Sequence, residues 1–408
     1  MRPARPNARY RLALAIDRRL GSFLCWLLLA ARSLRRTRPA QRPEAVQRIL
    51  LLKMWGMGSI VLVSSLFHEA RRLYPNARID IITLHENLSL LELYSDVDRK
   101  YSLDLSRGVF SFLWQTLAML RRLRSEHYDL VLDLEFFTRF SAIFSFLSGA
   151  RRTHGFSAKS HARGRLHDVE VPFNSYQHVA VNFRSLLRGA AMEPSPIEEI
   201  LGRAVLPLLE APADAWDRCR TLLEAAPAFD SQRPLVVVNP NAGDMALERR
   251  WPAERMAELL GQLAKEPVNL VLTGSPSERV YVESIANEEG VARRVVSLAG
   301  LIGIPELIAL FAHARVVVSN DSGPLHLAAA AGTDTVALFG PETPTLYGPL
   351  LARTGQSHSV HYRGLACSPC MFVHDNKELS CWFANAVCLT GIEPSEVLES
   401  VQARLRAP

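Results

Sequence analysis

The chain has 408 residues, of which 48% are hydrophobic and 22% charged. That balance excludes a disordered chain and suits two domains better than one. The net charge of +6 is local: residues 1–48 hold twelve arginines against two acidic residues, which leaves the remainder at −4. A nucleic-acid partner is therefore disfavoured, and an anionic surface near the N-terminus is favoured.

The first apolar stretch, Phe23 to Ala31, covers about nine residues and is flanked by arginines. It falls well short of the ~20 residues that cross a bilayer, and no small-residue cleavage site ends it. Two readings stand: a helix lying in a membrane interface with Trp26 inside, or an apolar helix packed on the protein with a basic solvated face. Ile49 to Lys53 then predict a strand, Trp55-Gly56-Met57-Gly58-Ser59 a glycine turn, Ile60 to Leu73 a helix, and Ile79 to Thr83 a second strand. This βαβ opening resembles half of a nucleotide-binding domain without the third glycine of a dinucleotide fingerprint. Residues 106–124 read as an apolar helix ending in arginines, set in a core or near an acceptor or membrane surface. Leu130 to Leu134 predict a strand with Glu135 just past its end, where open α/β sheets place working residues. Residues 142–147 read as a helix. A basic stretch with Lys159, His161, Arg163, Arg165 and His167 follows, suited to an anionic acceptor or to solvent. Tyr176 to Leu187 return to a helical pattern, with His178 near its start.

The prolines of residues 189–232 suggest an interdomain connection. Leu235 to Val238 predict a strand that opens into Asn239-Pro240-Asn241-Ala242-Gly243. Arg249-Arg250-Trp251-Pro252 lead into a helix, with the proline at a favourable first-turn position. Leu270 to Thr273 predict the next strand, ending in Gly274-Ser275-Pro276-Ser277-Glu278, and Ser297-Leu298-Ala299-Gly300 precede a helix over 305–311. Val316 to Val318 predict a buried strand that breaks into Asn320-Asp321-Ser322-Gly323, followed by an alanine-rich helix and the strand Thr335 to Phe339. The loops at 239–250, 274–278 and 320–326 fall on one sheet edge, where backbone N–H groups at a helix start favour a phosphate. The Gly-Lys-Ser/Thr ending of a P-loop is not present. Toward the C-terminus, Cys367-x2-Cys370, Cys381 and Cys388 place four thiols within 22 residues. The readings are a structural zinc or iron–sulfur site, disulfides, or reduced structural thiols. A last helix is expected over about 394–405.

Asn320-Asp321-Ser322-Gly323-Pro324-Leu325-His326 with its alanine-rich helix, Arg249-Arg250-Trp251-Pro252 and Ser297-Leu298-Ala299-Gly300 resemble glycosyltransferase family 9, the ADP-heptose:lipopolysaccharide heptosyltransferases and their relatives. Tyr128 to Leu134 and Ser148-Gly149-Ala150 fit the same pattern. The resemblance implies an α/β GT-B fold, two Rossmann-like domains facing across a cleft. It also implies a metal-independent inverting glycosyl transfer from a nucleotide-sugar to a lipopolysaccharide core or related anionic glycolipid. The enzyme would work on the cytoplasmic face of the inner membrane, reaching the membrane surface through its N-terminal segment. The same fold with a different donor and acceptor, and a catalytically degenerate nucleotide- or glycan-binding protein, remain as alternatives.

Carried over by position, Asn241, Ala242, Gly243, Arg249, Glu278, Asp321, Ser322, Gly323 and His326 would surround the donor. Arg249 stands where the family usually has lysine. His161, Arg163 and Arg165 are the acceptor-side candidates. The family's first glycine turn commonly carries an aspartate proposed as general base, and here that position is Ser59. Serine cannot take a proton unaided. Another base, with Glu135 first and His178 and His68 behind it, little need for a base, or an inactive site are the three ways out. No catalytic cofactor is implied. The expected segments are 1–43 (N-terminal segment), 44–190 (acceptor-side domain), 191–232 (connection), 233–350 (donor domain) and 351–408 (cysteine-containing tail and C-terminal helix).

Overall fold

Two six-stranded sheets, every strand pair parallel, organise the chain in a computed structural model that describes residues 15–33, 46–136, 138–157, 163–189, 205–243, 247–371, 381–383 and 386–407. The two units they define divide between Ala204 and Val205. The first contains β1 (Arg48–Leu52), β2 (Arg78–Leu84), β3 (Arg99–Leu103), β4 (Leu130–Asp133), β5 (Arg152–Ser157) and β6 (Val169–Pro172). Their order is β3-β2-β1-β4-β5-β6. The second contains β7 (Leu235–Asn239), β8 (Asn269–Leu272), β9 (Val295–Ser297), β10 (Ala314–Asn320), β11 (Thr335–Phe339) and β12 (His358–Tyr362), in the order β12-β11-β10-β7-β8-β9. Counted within each unit, the two orders are identical and are those of a dinucleotide-binding sheet. The direction of winding reverses between β1 and β4, and again between β7 and β10. Crevices at the carboxyl ends of strands open at such reversals.

The central strands read as unbroken apolar runs because helices cover both sheet faces. Leu50 of β1 lies between Asp80 of β2 and Val131 of β4, and Val318 of β10 lies between Val238 of β7 and Val336 of β11. The helix Met57–Leu73 begins at Gly56, whose φ of +85° is a conformation other residues adopt at a cost. Its core face includes Ile60, Leu66 and Phe67, all fully enclosed.

The N-terminal helix Ser22–Ser33 follows a π-helical turn at Asp17–Gly21 and docks on the helix Arg139–Leu147. Asp17 caps that helix, its carboxylate accepting the N–H groups of Arg139 and Phe140 at 3.0 and 2.8 Å. Gly21 is required by proximity, since a Cβ there would come within 2.9 Å of the Arg139 Cβ. Cys25 is buried against Ala142 and Leu166. Arg32 donates to the Leu166 and His167 carbonyls and pairs with Asp168 at 3.0 Å. The helix is thus packed on the protein, but its solvated side is apolar rather than basic: Leu20, Phe23, Leu24, Trp26 and Leu27 are exposed. Among the described residues no helix is long and apolar enough to cross a membrane.

The expected interdomain connection differs in its described part. Residues 205–232 belong to the second unit. There Leu209 N–H donates to the Ala330 carbonyl, and the helix Ala215–Glu224 packs on Ile304–His313. The C-terminal helix Pro394–Arg406 packs on Ala253–Leu263 of the same unit.

Candidate functional site

At the winding reversal of the second sheet, two loops leave neighbouring strands and are fastened to each other. Asn320, at the end of β10, donates from Nδ2 to the carbonyls of Pro240 and Asn241 at 2.9 and 3.2 Å. Its Oδ1 accepts the Trp251 N–H at 3.0 Å. The Trp251 indole is fully buried and donates to the Ile392 carbonyl, so the Arg-Arg-Trp-Pro segment is anchored from both sides. From that anchor Arg249 reaches across the crevice. Its Nη1 donates to the Asp321 carbonyl at 2.9 Å and lies 3.3 Å from the Asp321 carboxylate, while Nη2 donates to the Ala242 carbonyl at 2.9 Å. The planar fork of arginine can span three such acceptors, and a lysine ammonium cannot do so in one plane.

Arg250 lies with its guanidinium 4.2 Å over the Tyr281 ring and 3.9 Å from Glu278. Glu278 accepts the Ser275 N–H and hydroxyl, closing a capping box over the turn after β8. Gly300 comes so close to that turn that a Cβ would meet the Pro276 Cα at 3.1 Å. The helix Gly323–Ala330 starts at the same sheet edge with Ser322 as its N-cap. Its first-turn N–H groups have no partner within the helix and favour an anion. Asp321, Ser322 and His326 are buried, whereas Gly323 and Gly243 reach the surface. Three buried polar atoms here, Asn241 Oδ1, Arg249 Nε and Arg250 Nε, have no hydrogen-bond partner among the described residues. The structure therefore gathers Asn241, Ala242, Gly243, Arg249, Asp321, Ser322, Gly323 and His326 at one edge, with Glu278 joined through Arg250. The Arg249 guanidinium beside a helix start forms an arrangement suited to a diphosphate.

The equivalent reversal in the first sheet is built differently. Glu135, past the end of β4, is fully enclosed. Its Oε1 accepts from Lys53 Nζ at 2.8 Å, from Met54 N–H at 2.8 Å and from Trp55 N–H at 2.9 Å. Oε2 is buried and has no hydrogen-bond partner among the described residues. The carboxylate thus holds the start of the glycine turn. Ser59 lies in the first helical turn beyond it and is half-exposed. His178 precedes the helix Val179–Gly189, its Nδ1 accepting the Ala180 N–H at 3.2 Å. His68 sits eleven residues beyond the start of its helix, about 16 Å along the axis. It is exposed, 3.9 Å from Asp96, and away from the turn.

One expectation needs correction. Arg163 is not a solvated acceptor ligand but a fully buried core residue. Its Nη2 lies 2.8 Å from the Asp133 carboxylate and also contacts the Glu135 carbonyl, while Nε donates to the Thr138 carbonyl at 2.6 Å. His167 lies 3.1 Å from the same carboxylate. Burial pushes the Asp133 carboxyl up, but Arg163 and His167 beside it hold the net shift below the usual carboxylate range. Arg165 is exposed, and His161 lies outside the described residues. For the cysteines, no group of three or more His, Cys, Asp or Glu side chains among the described residues is arranged to hold a metal. Cys388 packs into the apolar core of the second unit. Burial, with the neighbouring thiols Cys370, Cys381 and Cys367 adding to it, pushes its pKa up to about 11. All six cysteines are free thiols.

Lys53, Asn320 and Arg250 organise these two edges although the sequence pattern does not single them out as site candidates; Lys53 alone shows a signal, an ionisable residue closing an apolar strand.

Residues 116–376 match the model of glycosyltransferase family 9 (heptosyltransferase). Lipooligosaccharide heptosyltransferase 2 of Haemophilus ducreyi is 26% identical over 307 residues, 74% of this chain and 86% of that protein. The solved structure of the Escherichia coli ADP-heptose lps heptosyltransferase II has a TM-score of 0.66 at 24% identity, covering 88% of this chain and 98% of that one. A glycosyl transferase family 9 structure from Veillonella parvula has a TM-score of 0.70 at 17% identity, covering 90% and 99%. The fold is that of these proteins, GT-B with two Rossmann-like domains.

Proposed function

The chain belongs to glycosyltransferase family 9, and from that premise we propose that it transfers a heptose-type sugar from a nucleotide-diphosphate donor to a lipopolysaccharide core or related cell-envelope glycolipid. The observation that carries this reading is the fastened donor edge. There Arg249 spans Asp321 and Ala242 beside the start of the helix Gly323–Ala330.

In the reaction an acceptor hydroxyl oxygen attacks the anomeric carbon on the face opposite the diphosphate. The bond from that carbon to the diphosphate oxygen breaks, the configuration inverts, and the hydroxyl proton passes to solvent water. Negative charge grows on the departing diphosphate. The helix N–H groups and the Arg249 guanidinium would meet it, already oriented before the bond breaks. The donor belongs to the second unit and the acceptor hydroxyl to the first. With Ser59 at the family's acidic position, and Glu135 held by three donors, the acceptor proton leaves late. Leaving-group stabilisation and positioning then carry most of the barrier. Glu135 acts as a positioning residue for the glycine turn. The enzyme works at the cytoplasmic face of the inner membrane, held there through its N-terminal segment.

The test is incubation of the purified chain with ADP-heptose and heptose-deficient lipopolysaccharide, read by intact mass of the glycolipid. A mass gain of one heptose is expected. Ser59 also favours a second reading, a nucleotide-binding protein without turnover. Tight binding of ADP-heptose with no transfer to any extracted envelope glycolipid would select it.

A further inference from the structure

The first unit carries an apolar face broader than a single helix. One side of its sheet is covered by the helices Val109–Ser125 and Arg139–Leu147, and the N-terminal helix Ser22–Ser33 lies against the second of these. Phe112 of the first helix meets Phe140 of the middle one at 5.3 Å between ring centroids. Cys25 of the third packs on Ala142. Right-handed crossovers from β3 to β4 and from β4 to β5 put the first two helices on one sheet face, and the N-terminal helix packs beside the second.

Each outer helix buries one stripe and exposes an apolar one. In Val109–Ser125 the buried stripe includes Thr116, Leu120 and Leu123, and the outward stripe is Phe110, Leu113, Trp114 and Leu117. Phe110 is 90% exposed and Trp114 70%. In the N-terminal helix Phe23 and Trp26 are 59% and 60% exposed. Ile143 and Phe146 of the middle helix are half-buried between them. Single exposed apolar residues need no explanation, but a contiguous set on three adjacent helices does. None of the three helices contains an acidic residue. Arg19 and Arg121 are exposed at their ends. The acidic groups nearby are already engaged, Asp17 in capping Arg139–Leu147, Asp168 with Arg32, and Glu126 with Arg78 and Arg99. The sequence adds four arginines in residues 1–14 and four more in residues 34–45.

We propose that this three-helix face docks on an anionic lipid bilayer surface, with Phe23, Trp26, Phe110 and Trp114 inserted at headgroup depth and the arginines at the phosphates. This deepens the membrane association proposed above, because it makes the helix Val109–Ser125 a second anchor independent of the N-terminal one. Indole and phenyl rings suit the interface, and an all-basic rim suits anionic headgroups.

The full chain would be sedimented with phosphatidylcholine vesicles containing 30% phosphatidylglycerol and with pure phosphatidylcholine vesicles. The variants are Phe110→Gln/Trp114→Gln and Phe23→Gln/Trp26→Gln. These positions are exposed and glutamine is a good helix former, so unchanged thermal melting is expected. Each pair should lower the partition coefficient on anionic vesicles by roughly tenfold or more, and the two losses should multiply. Binding to pure phosphatidylcholine should be weaker for every form. Loss through the Phe23/Trp26 pair alone would overturn the proposal. So would unaltered vesicle binding in both variants, or a dimer in solution that the Phe110/Trp114 pair dissolves, which would assign the face to a second copy. The assay contains no sugar donor, so a chain that binds vesicles but transfers nothing would sink the glycosyl-transfer reading and leave this one intact.

Discussion

Lys53 and Glu135 meet at 2.8 Å behind the glycine turn of the first unit, both enclosed, although 82 residues separate them. Breaking such a pair leaves a buried charge without compensation, typically at a cost of about 3–5 kcal/mol, whereas replacing both partners with apolar residues is often neutral. Glu135→Gln should therefore destabilise the chain by roughly that amount in urea titrations. Lys53→Met/Glu135→Leu should recover only part of the stability and none of the turnover, because the Met54 and Trp55 N–H groups lose their acceptor. Wild-type kcat in the double variant would show that the turn needs no carboxylate.

Arg249→Lys keeps the charge at the donor edge but cannot span Asp321 and Ala242 together. A loss of about 1.5–3 kcal/mol of charged hydrogen bonding corresponds to a roughly ten- to hundredfold fall in kcat/KM for the donor. Thermal stability should fall as well, since the side chain is nearly buried and the Asp321 or Ala242 carbonyl loses its donor. The measurement is initial rate against donor concentration at saturating acceptor, and an unchanged kcat/KM would remove Arg249 from the site.

Ser59→Asp restores the acid that the family commonly places in this turn. If the late release of the acceptor proton limits the chemistry, kcat should rise by roughly tenfold or more near pH 7, and its pH profile should gain an ascending limb. A variant slower than the parent at every pH would mean that the turn is adapted to serine and that proton release is not limiting.

His154 supplies a pH dependence of stability. The ring is fully buried, with Nδ1 bonded to the Leu186 carbonyl at 3.0 Å and Nε2 lacking a hydrogen-bond partner among the described residues. Burial lowers its pKa from 6.5 to about 4. Between those values the unfolded chain binds more protons than the folded one. The neutral ring's contribution is thus fully present above pH 6.5 and falls away as the pH drops toward 4, by up to ~3 kcal/mol. Urea midpoints across that range should show the slope, and His154→Leu should flatten it even if it lowers stability overall.

The strands β1, β2, β4, β7, β8, β10 and β11 are readable as apolar runs because helices bury both of their faces. β3 (Arg-Lys-Tyr-Ser-Leu), β6 and β12 are not, since they lie at sheet edges and retain polar residues. β5 is an inner strand disguised by Arg152 and His154. Its Gly155 gives room to the His167 ring, which would stand 2.3 Å from a Cβ there. The donor loops are visible because their glycines, caps and prolines act locally. The 163–168 segment misleads for the opposite reason: its basic residues suggest solvent, but the buried Asp133 carboxylate draws Arg163 and His167 inward. A partner thirty residues away leaves no local pattern.

The two sheets share one winding order, so each has a crevice of the kind that receives nucleotide phosphates. In the first, the Met54 and Trp55 amides that would greet a phosphate already hold a carboxylate from the chain itself, with Lys53 as its counter-ion. That half carries a permanent internal ligand. A molecule with two nucleotide-type crevices should therefore titrate with one nucleotide per chain.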